Sequence, residues 1–125
     1  MLGAKGVQIG SAFIASPESL ASDAYKKAVK NSSDTETKLT KTFSGKWARG
    51  IKNKFMETVE ESGIKIPPYP IQNSLTSTMR KIAIEKDFTD FMSLWAGQSA
   101  AMAKNKSVTE ILSELIDETE NLKCI

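Results

Sequence analysis

Apolar residues recur at helical spacing through most of the chain, and at strand spacing only near its start. From Ser16 to Lys30 the order Ser-Pro-Glu reads as a helix start, with Ser16 as cap and Pro17 at the first helical position. Leu20, Ala24, Tyr25 and Ala28 then share one face. Thr35 to Phe43 is rich in threonine, which predicts a short strand or an extended arm with Leu39 and Phe43 on one side. A lone strand cannot satisfy its own backbone, so this one needs a partner. Between Lys46 and Ser62 the residues Trp47, Ile51, Phe55 and Val59 predict an amphipathic helix, with Gly63 as its stop. The prolines of Ile66 to Pro70 predict a stiff connector. Helical pattern resumes from Ile71 to about Glu85, and Ile71, Leu75, Met79 and Ile82 form a stripe expected to pack in the core. Ser93 to Ala103 reads as a helix of small residues, either a tightly packed core helix or one that lets a flat ligand come close. Ser107-Val108-Thr109-Glu110 fits a capping box, and Val108, Ile111, Leu112, Leu115, Ile116, Thr119 and Leu122 continue it as one apolar face.

The strand-like stretch is Gly6-Val7-Gln8-Ile9, which runs into a tight turn at Gly10-Ser11. Val7 and Ile9 point one way and Gln8 the other. Gly10 lets a ligand approach the main chain, and Ser11 adds a hydroxyl beside the free N–H groups of the following turn. Strand, glycine, hydroxyl, then helix is one way to build a phosphate cradle. An ordinary strand end with a small-residue turn spells the same pattern. Lys46, Arg49, Lys52 and Lys54 are open to two readings as well, an anion site or a solvated basic face.

Composition removes several chemistries. The sequence has 125 residues, 40% hydrophobic and 26% charged, with a net charge of +2. That balance points to one globular domain and away from nucleic acid. There is no histidine, so no His-based triad, metal site or general base is to be expected. The single cysteine, Cys124, makes neither an internal disulfide nor a Cys-rich zinc site. No apolar run approaches the ~20 residues of a membrane span, and the start of the chain lacks a signal-peptide pattern. A cytoplasmic protein is the expectation.

The stretch GAKGVQIGSAF resembles the last barrel strand and flavin-phosphate loop of the nitronate monooxygenases, once called nitropropane dioxygenases. Members usually read GAxGVQxGTxF, and Ser11 stands where threonine is usual, keeping the hydroxyl and losing a methyl. FSGKWARGIKNKF, PYPIQNSLTSTMRK and LWAGQS follow in family order and extend the resemblance over nearly the whole chain. What it resembles is the C-terminal third of such an enzyme. A (β/α)8 barrel needs ~200 residues, so the barrel is incomplete here.

The resemblance implies a mostly α fold with one or two short strands, the C-terminal part of an FMN-binding TIM barrel plus its helical small domain. Residues 1–30 would hold the last strand, the phosphate loop and the next helix. Residues 31–92 would form the small substrate domain, and 93–125 the return helices on the barrel. It implies FMN as cofactor, its phosphate resting around Gln8, Ile9, Gly10 and Ser11, with Gly97 and Gln98 lining the cleft. Arg49 and Asn53, in the family's ARGxxN pattern, would fix the small domain on the barrel or sit near the cleft. The implied reaction oxidises alkyl nitronates with dioxygen to carbonyl compounds and nitrite. The family's catalytic histidine falls in the earlier part of the barrel, so no catalytic residue and no metal ligand is assigned to this chain. One wall of a site implies weak or absent FMN binding and no turnover by the chain alone. Apolar surface without its barrel neighbours implies self-association or repacking. Two other readings are an FMN-dependent enoyl-acyl carrier protein reductase, which shares an AGQ segment, and a non-catalytic helical interaction module.

Overall fold

The computed structural model describes residues 3–123, so Cys124 lies outside the described residues. Its centre is an antiparallel hairpin of β1 (Thr37–Thr40) and β2 (Ala48–Ile51), paired from Thr37 opposite Ile51 to Thr40 opposite Ala48. This gives the threonine-rich segment the partner it requires. A third extended piece lies on β2 through a single bridge between Gly50 and Trp95. The Ile51 N–H donates to the Leu94 carbonyl at 2.9 Å and the Ala96 N–H to the Arg49 carbonyl at 3.2 Å. Glycine is needed at position 50, because a Cβ there would lie 3.0 Å from the Leu94 oxygen and 3.1 Å from the Trp95 ring.

Helices flank the hairpin. α1 (Ser11–Ile14) is one turn, and α2 (Asp23–Asn31) is capped by Ser22, whose hydroxyl accepts from the Tyr25 N–H. α3 (Lys54–Glu61) is capped by Asn53. Asn53 Oδ1 accepts from the Met56 N–H, while Nδ2 donates to the carbonyls of Thr89 and Met92 at 3.0 and 2.8 Å. One buried side chain thus starts a helix and anchors the loop after α4 (Ile71–Glu85). Phe43 is buried against Phe55 and edge-on to Trp95, with centroids 5.2 and 5.5 Å apart. Met92 packs with Ala83 and Leu94, and Val29 with Ala96 and Ala100. Burying each larger side chain contributes about 1.5–3 kcal/mol.

The structure overturns several expectations. No strand forms at Gly6–Ile9, and Val7 is 80% exposed. A strand needs a neighbour for its ladder, and none of the described residues supplies one. The helix expected from Ser16 begins only at Asp23. Ser16 is instead buried in a local turn, accepting from the Glu18 N–H and donating to the Glu18 carboxylate, which leaves Leu20 fully exposed. The helix expected from Lys46 is half strand: β2 takes Ala48–Ile51, and Asn53 starts a fresh helix. Leu39 and Phe43 do not share a face, because β1 stops at Thr40 and the chain turns.

The connector before α4 holds no helix and closes in a turn at Tyr69-Pro70, and α4 runs from Ile71 to Glu85, as expected, but the helix sits the other way round. Its buried side is polar. Gln72 donates to the Thr42 carbonyl and Thr76 to the Phe43 carbonyl, both at 2.6 Å. The apolar stripe faces outward, with Leu75 68% exposed. The expected helix at Ser93–Ala103 is an extended piece followed by a short 3-10 turn, Ala100–Met102. Pairing with β2 takes the backbone groups that a helix would have used. α5 (Val108–Lys123) keeps its capping box: the Ser107 N–H donates to the Glu110 carboxylate and the Glu110 N–H to the Ser107 hydroxyl. Only Ile111 on its apolar face is buried.

Candidate functional site

The turn after the unpaired segment opens a cleft of about 810 Å³. One side is Gln8, Ile9, Gly10, Ser11 and Ile14. The facing side is Trp47, Ala48 and Arg49 at the edge of the hairpin, and Trp95, Ala96 and Gly97 complete it. Ser11 and Gly97, 86 positions apart in the chain, are joined directly, since the Gly97 N–H donates to Ser11 Oγ at 3.1 Å. The serine hydroxyl keeps its own proton for another acceptor. The N–H groups of Ser11 and Ala12 open α1 and take no backbone acceptor among the described residues. Above Gly10, space is open where a side chain would project.

The far wall is held by its own bonds. The Tyr25 hydroxyl donates to the Trp95 carbonyl at 2.7 Å and fixes the extended piece from behind. Burial pushes the Tyr25 phenol up to about 12, against the smaller opposing effect of that hydrogen bond. Arg49 Nη1 donates to the carbonyl and hydroxyl oxygens of Thr37, both at 3.2 Å, across the hairpin. No group of three or more metal-ligating side chains occurs among the described residues.

Of the six residues expected around the phosphate or lining the cleft, the structure brings together five, Gln8, Ile9, Gly10, Ser11 and Gly97, and it adds Arg49, expected near the cleft or on the barrel contact, whereas Asn53 caps α3. Gln98 is exposed and does not line the cleft. Trp47 and Trp95 line it and escaped the sequence reading. Trp47 fell on the apolar face of a supposed helix, and Trp95 inside another. A second groove, about 580 Å³, runs along the outward stripe of α4 between Leu75, Met79, Ile82 and Phe88. It is apolar and gathers no convergent polar groups, so the chemistry is better sought at Ser11.

The fold has relatives among solved (β/α)8-barrel proteins. Nitroalkane oxidase from Streptomyces ansochromogenes superposes with a TM-score of 0.83 at 32% identity, covering 94% of this chain and 33% of that one. FabK from Thermotoga maritima superposes at 0.68 and 26% identity, covering 97% of this chain and 40% of that one. The half-helical architecture with its two-stranded sheet is thus that of part of a TIM barrel and its helical attachments. The nitronate monooxygenase family profile matches residues 1–118, and the chain belongs to that family. Probable nitronate monooxygenases of Staphylococcus haemolyticus and Staphylococcus aureus (strain Newman) are 42% and 43% identical over 122 residues. Each is covered over 34% of its length, so the chain spans about a third of the curated relatives it matches. No helix among the described residues is long and apolar enough to cross a membrane.

Proposed function

We propose that this chain supplies one wall of the flavin site of a nitronate monooxygenase, which oxidises alkyl nitronates with dioxygen to carbonyl compounds and nitrite. The observation that carries this reading is the joining of Ser11 to Gly97 across a cleft lined by Gln8, Ile9 and Gly10, in a chain of this family. The donor set fits the phosphate of FMN: a serine hydroxyl, two free amides and the Gln8 carboxamide, with open space over Gly10. Bound FMN supplies the electron transfer of the reaction. The residues of this chain bind and orient. Ser11 and its amides would hold the phosphate, with Trp47 and Trp95 lining the cleft beside it. Residues 31–92 would serve as the small domain that covers the cleft.

No residue here is assigned as acid, base or nucleophile, so the chain alone is expected to be silent. The test is paired. A longer chain that includes this segment should purify with flavin, consume dioxygen and release nitrite on addition of a nitronate, while the 125-residue chain does none of these. Stoichiometric flavin and turnover by the short chain would overturn the reading. The likeness to FabK favours one second reading, an FMN-dependent enoyl-acyl carrier protein reductase. Reduction of an enoyl thioester by the longer chain, without nitronate oxidation, would establish it instead.

A further inference from the structure

Among the described residues, Arg49 is the only ionisable residue lining the cleft. It stands on β2 opposite Leu39, half-buried. Its two hydrogen bonds, both from Nη1 to Thr37, go to neutral oxygens and orient the guanidinium plane. They leave the other edge of the fork unused. No carboxylate pairs with it: the ion pairs among the described residues are Lys38–Glu60 and Lys106–Glu114. A half-buried guanidinium without a counter-ion has lost hydration and gained no opposite charge, so an anion entering the cleft would restore what burial removed. A second positive charge lies close by, since Lys41 Nζ stands 4.8 Å above the ring of Trp47. Trp47 and Trp95 also line the cleft and supply aromatic surface to it.

We propose that Arg49 is the anion-binding residue of this cleft, taking an oxyanion on the guanidinium edge that Thr37 leaves free. The ligand it suits is an oxyanion carried on a flat or apolar body. Two sources share that chemistry, the phosphate monoester of a flavin nucleotide and the nitronate group of a substrate. The naming of those sources rests on the proposed function, whereas the anion site rests on the cleft's own geometry. A guanidinium already aimed by Thr37 loses little freedom on binding, and a planar fork matches two oxygens of either group.

The test uses the 125-residue chain itself, labelled for NMR, with the arginine Nε–H signals followed alongside the backbone amides. Inorganic phosphate is the first probe. The Arg49 Nε–H and the Ser11 and Gly97 amides should shift together along one saturating curve. Arg49→Gln should weaken that binding by about tenfold or more, the usual worth of charged hydrogen bonds, while Arg49→Lys keeps part of it. FMN, riboflavin and a propyl nitronate are then compared as competitors. Competition by FMN and not by riboflavin assigns the phosphate, and competition by the nitronate assigns the substrate. Phosphate that saturates while no competitor displaces it leaves the anion site standing and assigns neither source. An unmoved Arg49 signal in the wild-type chain at tens of millimolar phosphate overturns the proposal even if the glutamine variant fails to fold. Equal phosphate binding by wild type and Arg49→Gln overturns it as well.

Discussion

The middle of the molecule and its two ends are built to different standards. Between Ser32 and Ala100 most of the core is assembled, and buried polar side chains such as Thr40, Asn53, Gln72 and Thr76 are bonded to backbone groups. Across the described residues no buried polar side-chain atom is left without a partner. The ends differ. The segment before Gly10 forms no strand and pairs with nothing among the described residues, and α5 leaves Leu112, Ile116 and Leu122 about half exposed. The middle pairs its buried polar groups and exposes apolar surface along α4, while the ends add apolar surface with little core beneath it. That contrast fits the proposed division of the chain, a small domain between pieces of a barrel, in a chain spanning a third of its relatives.

The strongest way to break the contrast is at Asn53. Asn53→Ala removes a helix cap, strands the Met92 carbonyl and takes one of two donors from that of Thr89, which should cost about 2–4 kcal/mol. Urea unfolding measures it, and a loss under about 1 kcal/mol would mean the middle is not held as described. Gly50→Ala forces a methyl against the Leu94 carbonyl and the Trp95 ring, at about 1–3 kcal/mol with a shift in tryptophan emission. The ends should respond oppositely. Leu112→Lys with Ile116→Lys should change unfolding by no more than about 0.5 kcal/mol each. The same pair should reduce self-association in light scattering, and an unchanged association state would show that this face is not the sticky one.

Two pH effects sharpen the contrast further. Tyr25 keeps its proton in the folded chain up to about 12, whereas the unfolded chain loses it near 10.0. Stability is therefore full below 10.0 and falls as pH rises from there toward 12. Tyrosinate absorbance should track the release of α2 from the Trp95 carbonyl that Tyr25 holds. At α5, hydrogen bonds from the Ser107 hydroxyl and N–H hold the Glu110 carboxyl below its ordinary 4.5. That capping stability is present above 4.5 and lost as pH falls through the lowered value, so α5 amides should lose exchange protection in acid before those of α4.

What the sequence makes legible is what local chemistry decides. The bounds of α4 follow from the prolines before it, and the start of α5 from Ser107 and Glu110. β2 was hidden because Trp47, Ile51, Phe55 and Val59 mimic a helical face, while the pairing with Thr37–Thr40 that makes it a strand is not local. The orientation of α4 was hidden for the same reason. Gln72 and Thr76 face inward to meet carbonyls 30 and 33 positions earlier, and an apolar stripe gives no hint of that. In the cleft, Ser11 and its neighbours were readable from their spelling. Trp95 was not, since only the bridge to Gly50 brings it there.

The most direct test of the flavin wall is the structure, with flavin bound, of a full-length relative. The expected result places the flavin phosphate within hydrogen-bonding distance, about 3 Å, of the N–H groups that match Ser11 and Ala12. A phosphate held elsewhere in the barrel, with this turn remote from the nucleotide, would contradict it.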